Sequence, residues 1–384
     1  MKLSKPSHGR RSYYQCLVSN KIGGAAKIAL ALGRYVDKTG VGKSMVLGPD
    51  GGAVAREVRD HGLPFHAYNL DRMLERNRLA SSFESLRILR ETAFTKGIVH
   101  VHSPIVFGAM RLFRKLSSLK TVLHIHLDFS TEELMWAYRE PPDLTIVCAE
   151  FMRGAVENAR QTSGHARGLV SVIRNSVDLT RFSQRGKSLA RRALGVEESV
   201  PLALIVANLA PHKGQITCIR AIAELKRRGC TVRLWVVGEC RDAGGSFEAQ
   251  LRALCVELGV SESVKFTGFR ADTEMLFRAA DFVLLPSTSE GLPLSILEAQ
   301  ASGAVVLAAP TAGIPEVVVE NETGFLVAAD DPVGYADRIQ RLTGEHSQLL
   351  RIRKSARRYV EREHDLDEFC KRVVLEYQKV LGSG

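Results

Sequence analysis

The chain has 384 residues, too many for one ordinary core, and its 45% hydrophobic and 25% charged content is that of a folded globular protein with two domains. No apolar run approaches the ~20 residues of a membrane span, and the start MKLSKPSHGRRSYY lacks the apolar centre of a secretory signal. The net charge of +11 is uneven: residues 1–180 hold 26 Lys/Arg against 16 Asp/Glu, the remainder 27 against 26. A basic first half suits an anionic partner such as a membrane face or a diphosphate-linked lipid. No recognition module or aromatic–basic pattern accompanies the charge, which argues against nucleic acid. Seven scattered cysteines without a C-x-x-C pair fit reduced thiols in a cytoplasmic protein.

In chain order, residues 14–19 read as a first strand, followed by Gly23 and Gly24 and a helix over about 25–36. Short strands are expected at 44–47, 98–102, 121–126, 144–148 and 170–173, with helical patterns such as 53–61 and 82–95 between them. That alternation predicts a parallel sheet. Residues 108–120 (GAMRLFRKLSSLK) form a basic amphipathic segment, either a helix covering the sheet or a peripheral membrane contact. The polar, basic stretch 181–200 reads as a linker. A second sheet follows, with strands at 202–207, 231–237, 264–267, 281–285 and 305–308. Helices are expected near 215–228, 246–258, 271–279, 294–302, 331–343 and 347–361, and a last one at about 365–381.

The most informative stretch is PSTSEGLPLSILEAQASG at 286–303. It joins a buried-type strand to a helix and then to another strand, a right-handed parallel crossover. Ligands of such sheets bind at the strands' carboxyl ends, where helix N-termini offer N–H groups to anions. Glu290 lies in the loop, and Glu298 on the helix leans back toward it. Gly291 permits close backbone approach, Pro293 suits a first helical turn, and Ser295 with the amides of Gly291 and Leu292 can donate to phosphate. Amides for phosphate beside carboxylates for hydroxyls suit a sugar nucleotide. Lys213, in LAPHKG, also follows a strand and can neutralise a diphosphate leaving group. Gly23 and Gly24, between strand and helix, read by themselves as a turn. His124, His126 and Asp128 form H-x-H-x-D, a legitimate metal-ligand spacing that would suit a metal-dependent hydrolase.

The Glu–x7–Glu spacing, with KIGGAAKIALAL, VHVHSP, VLHIHLDF, VIRNSVDLTRF, LAPHKG and GFRADTEMLFRAADFVLLPSTSEG in order, resembles retaining glycosyltransferase family 4. The resemblance implies an α/β GT-B fold, two Rossmann-like doubly wound parallel-sheet domains facing across a cleft. Residues 1–180 would be the acceptor-side domain, joined by the C-terminal helix 365–384, and residues 201–364 the donor domain. It implies transfer of a sugar from a nucleoside diphosphate sugar, UDP- or GDP-linked, to the hydroxyl of a glycan or lipid-linked acceptor in cell-surface polysaccharide or glycolipid assembly. The protein would be cytoplasmic or peripheral on the inner membrane face, with no cofactor or metal required. Glu290 would take donor sugar hydroxyls, Glu298 the ribose, and Gly23, Gly24 and Lys213 the phosphates. His126 would lie near the donor sugar, and Asn175 and Asp178 would be structural at the domain junction. Asn208 stands where the family usually has Arg; a non-catalytic sugar-nucleotide-binding protein is the alternative that this departure raises.

Overall fold

In a computed structural model, described over residues 11–74, 78–92, 95–164, 168–240 and 245–382, the chain forms two compact units. The first is Met1–Asn175 with Asp367–Gly384; the second is Ser176–Leu366.

Unit 1 is built on β1 (Ser12–Cys16), β2 (Lys43–Pro49), β3 (Phe65–Tyr68), β4 (Gly97–Val101), β5 (Lys120–Ile125), β6 (Leu144–Val147) and β7 (Leu169–Val172). Their order is β3-β2-β1-β4-β5-β6-β7, and every pairing is parallel. Helices cover such sheets on both faces, so the central strands are near-continuous apolar runs; all five residues of β4 are buried. The helix Gly24–Thr39 buries Ile28, Ala29, Leu32 and Val36 at the three- and four-residue spacing that makes one face. The last helix, Leu366–Gly382, buries Phe369, Val373 and Tyr377, and the Tyr377 ring stacks on Tyr13 of β1 at 5.5 Å between centroids.

Unit 2 carries β8 (Leu202–Val206), β9 (Arg233–Val237), β10 (Val264–Gly268), β11 (Phe282–Leu285), β12 (Val305–Ala308) and β13 (Gly324–Leu326). The order is β10-β9-β8-β11-β12-β13, again all parallel. Its core packs Leu234, Leu284 and Leu307 of the sheet against Ile222, Tyr335 and Ile339 of covering helices.

Three expectations change. The stretch 181–200 is not a linker: it contains the helix Lys187–Leu194, and unit 2 begins at Ser176. Arg191, only 1% exposed, fixes that helix. Its Nη1 donates to Asp281 Oδ2 at 2.9 Å and to the Ala279 carbonyl at 3.0 Å, and its Nη2 to the carbonyls of Glu197 and Val200. Asp281 also takes Lys187 at 2.5 Å, Arg353 at 2.8 Å and the Leu202 amide at 2.9 Å. Burial would raise its carboxyl, but the charge and hydrogen bond of Lys187, the amide and Arg353 hold it down at about 2.

The amphipathic stretch 108–120 is likewise not one helix. It is divided between Pro104–Ala109, Arg111–Leu116 and the start of β5. Met110 and Phe113 are fully buried, Leu119 nearly so, and Arg114 lies 3.9 Å over the Phe107 ring. Burial pushes the Arg114 guanidinium down to about 9. Most of the apolar stripe is therefore spent inside unit 1, while Leu116 stays exposed. The short strands β3 and β13 were not expected from the sequence.

Candidate active site

In unit 2 the strand order reverses between β8 and β11, which lie side by side (Phe282 beside Ala203, Val283 beside Leu204). Ligands of open α/β sheets bind beyond the carboxyl ends of strands at such a switch point. Lys213 follows β8, at the end of the 3₁₀ turn Pro211–Lys213, and Glu290 follows β11. The two residues are 77 apart in sequence and paired: Lys213 Nζ lies 2.7 Å from Glu290 Oε1, with side chains 15% and 9% exposed. The backbone around them is laced together. The Thr288 amide donates to the His212 carbonyl at 2.9 Å, and Ser287 Oγ to the same oxygen at 3.0 Å. Gly214 adopts φ +76°, and a Cβ there would meet the Pro286 carbonyl oxygen at 2.2 Å. The motif therefore needs glycine at 214 both for conformation and for space.

The helix Leu294–Ser302 starts just beyond this pair. Pro293 is its N-cap rather than its first helical residue, and no described side chain caps it. Gly291 and Leu292 are buried, and the Gly291 carbonyl accepts from the Gly313 amide at 3.0 Å. Ser295 is half-buried one position into the helix, and Glu298, 4% exposed, is one turn from its start. A buried glutamate on the ligand side of the sheet is not the solvated surface residue that helical glutamates usually are. Asn208 is exposed beyond β8, and its carbonyl accepts from Gln215 Nε2 at 3.0 Å.

In unit 1 the switch point lies between β1 and β4. Gly23 is the N-cap of the helix Gly24–Thr39, and a Cβ on it would meet nothing within 4 Å. Packing therefore does not require glycine at 23. His126 immediately follows β5 and belongs to a stack of four histidines from two adjacent strands. His100 and His102 lie 4.2 Å apart between ring centroids, His124 and His126 3.9 Å, and His102 and His126 5.2 Å. Burial drives His126 down to about 3 and the other three well below their ordinary value, so all four are neutral.

Gln15 Oε1 faces His102 Nε2 at 2.9 Å and can only accept, so that nitrogen carries the proton. His102 Nδ1 is then an acceptor, and His126 Nε2 donates to it at 2.9 Å. The remaining nitrogen of His126, Nδ1, is buried. The ring is thus held inward and uncharged.

Ring nitrogens of His100, His102 and His124 come within 4.8 Å of one another. Both ring nitrogens of His102 are already engaged, Nε2 with Gln15 Oε1 and Nδ1 with His126 Nε2, each at 2.9 Å, so the three rings do not turn free lone pairs on one ion. A tetrahedral zinc with Zn–N of about 2.0–2.1 Å needs convergence. Asp128 is exposed beyond the end of β5, so the H-x-H-x-D spacing does not assemble a ligand set.

The two sheets, each with a switch point, agree with the comparisons to known proteins. The family described as glycosyltransferase family 4 matches residues 22–181, and that described as glycosyl transferases group 1 matches residues 187–359. The chain belongs to the group 1, family 4 glycosyltransferases. It is 36% identical over 203 residues to D-inositol 3-phosphate glycosyltransferase of Nocardia farcinica, covering 51% of this chain and 45% of that one. The corresponding protein of Frankia alni is 34% identical over 219 residues, 53% and 54% of the two chains. The chain thus spans about half the length of the curated relatives it matches. Among solved structures, Anabaena HepE in complex with UDP and glucose superposes with TM-score 0.83 at 21% identity, over 96% of this chain and 99% of that one. A glycosyltransferase of Rickettsia africae gives 0.82 at 17% identity, over 98% and 100%. At these identities the likeness establishes the fold, a GT-B architecture of two Rossmann-like units.

The sequence brought Lys213, Glu290, Gly291, Leu292, Ser295 and Glu298 to one end of unit 2's sheet. It did not foresee that Lys213 and Glu290 pair. It also missed Ser287, whose role inside the 286–303 motif was not singled out, and Gln15, which lies in no motif.

Proposed function

We propose that the protein is a retaining hexosyltransferase that moves a sugar from a UDP- or GDP-sugar to an acceptor hydroxyl, in assembly of a cell-surface polysaccharide or glycolipid. The observation that carries this reading is the Lys213–Glu290 pair at the β8/β11 switch point. Lys213 supplies positive charge where a diphosphate would sit, and Glu290 is held beside it to take sugar hydroxyls. Glu298 takes the ribose hydroxyls, and the N–H groups at the start of Leu294–Ser302, with Ser295, take phosphate oxygen. Asn208 contributes an amide in place of a charge, so Lys213 carries more of the electrostatic work. Gly23 and Gly24 leave room for the donor phosphates at the start of their helix.

In the step itself the anomeric C–O bond breaks and the nucleoside diphosphate leaves with the electron pair. The acceptor oxygen bonds to the same face, and its proton passes to the departing phosphate oxygen. His126 is neutral and contributes position, not charge. HepE, whose structure holds UDP and glucose, supports a UDP-sugar first. The excess charge of residues 1–180 supports a cytoplasmic enzyme that touches an anionic membrane face. Vesicle binding that ignores salt would overturn that placement.

The test is thermal stabilisation by a panel of UDP, GDP, ADP and their sugar conjugates. One nucleotide should raise the melting temperature, and Glu298→Ala should abolish the rise. Stabilisation by none of them would sink the reading.

A further inference from the structure

Unit 1 holds a second feature that the donor site does not use, a cavity of about 460 Å³ beyond the carboxyl ends of β1, β2 and β3. Its volume lies within the range of small-molecule sites. The polar groups on its wall are Ser19, Asn20, Asp50, Asn69, Asp71 and Arg87.

Several of these are set by backbone contacts. The Asn20 carbonyl accepts from the Val54 amide at 3.1 Å, and Gly52, at φ +77°, lies so close that a Cβ would meet that carbonyl at 2.5 Å. Asp50 Oδ1 accepts from the Gly51 amide at 2.8 Å, which leaves Oδ2 for another donor. Asn69 Oδ1 accepts from the Arg72 amide at 2.9 Å, which leaves its amide nitrogen to donate. Tyr68 spends its hydroxyl on the Leu17 carbonyl and serves as wall.

The charge of this wall opposes that of the half in which it lies. Residues 1–180 carry a large excess of Lys/Arg, yet the cavity holds two carboxylates against one guanidinium. The Arg87 guanidinium also has its own partner, the buried Glu84, at 3.9 Å. Carboxylates and side-chain amides accept from and donate to hydroxyls, whereas a phosphate would meet Asp50 and Asp71 as like charges.

We propose that this cavity is an acceptor subsite for a neutral, polyhydroxylated glycan, and that its carboxylates reject phosphorylated acceptors. The proposal rests on the transferase reading and narrows it. It replaces the expectation, drawn from net charge, of an acceptor recognised by its phosphates. It also separates this chain from the relatives named for D-inositol 3-phosphate, which it matches over only about half their length.

The experiment uses the full chain with the nucleotide sugar that stabilises it. Transfer is measured to a panel of neutral methyl glycosides and disaccharides, beside the matching hexose phosphates and D-inositol 3-phosphate. Neutral sugars should be accepted and their phosphates rejected. Asp50→Asn and Asp71→Asn should each raise the acceptor KM by about tenfold or more, as lost charged hydrogen bonds do. Both residues are exposed, so folding is spared, and the nucleotide-induced melting shift should not move. Preference for a phosphorylated acceptor, or acceptor KM values within twofold of the parent, would overturn the proposal. Absence of any nucleotide shift in the parent would instead strike the transferase reading. The cavity is then judged by saturation-transfer NMR with the neutral disaccharides alone. A signal in the parent that vanishes in the Asp50→Asn, Asp71→Asn double variant supports it, and no signal in the parent refutes it.

Discussion

Lys213 and Glu290 offer the sharpest test, because their pairing is both a structural and a functional claim. At 2.7 Å, with an effective dielectric of about 20, the gross attraction is about 6 kcal/mol, and desolvation of two nearly buried groups cancels much of it. Removing one partner leaves the other's charge uncompensated. Lys213→Met strands the less exposed carboxylate and should cost about 3 kcal/mol; Glu290→Gln keeps an acceptor oxygen and should cost about 2 kcal/mol. The double variant should cost less than the sum, with a coupling of about 1–3 kcal/mol. Urea unfolding followed by Trp235 of β9, in a Trp136→Phe background, reads unit 2. Transfer measured alongside should fall by about 10²–10³-fold in kcat for Lys213→Met, the loss typical of a charge that stabilises a developing anion. Additive stability losses, each within about 0.5 kcal/mol of zero, would show that the pair is not formed and remove the main support for the site.

Three further outcomes follow from the structure. Burial keeps four histidines of unit 1 neutral, with His126 at about 3, while the unfolded chain takes up protons below about pH 6.5. Their stabilisation is therefore complete above that pH and lost as it falls, by about 1.4 kcal/mol per histidine at pH 5.5; unfolding followed by Trp136 should show the loss, and a flat profile would refute it. Asp281, held at about 2 against an ordinary 3.8, contributes about 2 kcal/mol that is present above pH ~4 and lost as pH falls through 2. Asp281→Ala should cost about 3–5 kcal/mol at neutral pH because Arg191 stays buried, and a loss under 1 kcal/mol in urea unfolding would contradict the network. Gly214→Ala should lower the melting temperature and abolish the nucleotide-induced shift, since its Cβ collides with backbone at Pro286; an unchanged melt would disprove the close approach.

Local pattern was enough for much of the fold. Apolar runs such as VLL at 283–285 and VVLA at 305–308 must be strands buried on both faces, and their helix-length spacers demand parallel crossovers. The helix after Pro293, stopped by Gly303 in the left-handed conformation, was equally legible. So was the position of Glu290 in the loop after β11 and of Glu298 on the helix that follows.

Residues 181–200 show where local reading stops. Their charge suggests a solvated linker, but Arg191 is buried because Asp281, 90 positions away, waits at the start of β11. Whether a charged side chain is solvated or paired depends on which strands become neighbours, and no window of a few residues contains that. The same holds for Lys213 against Glu290, set side by side by the β8–β11 pairing, and for the histidine stack assembled from β4 and β5. The acidic cavity in a basic half is a fourth case, gathered from three strand ends. Sequence by itself determined most of the elements and the family, because periodicity and turn chemistry act over one or two turns of chain. Tertiary structure alone decided which charges meet, which are buried and what sign each cavity presents, because electrostatics and burial act across the sheet order rather than along the chain.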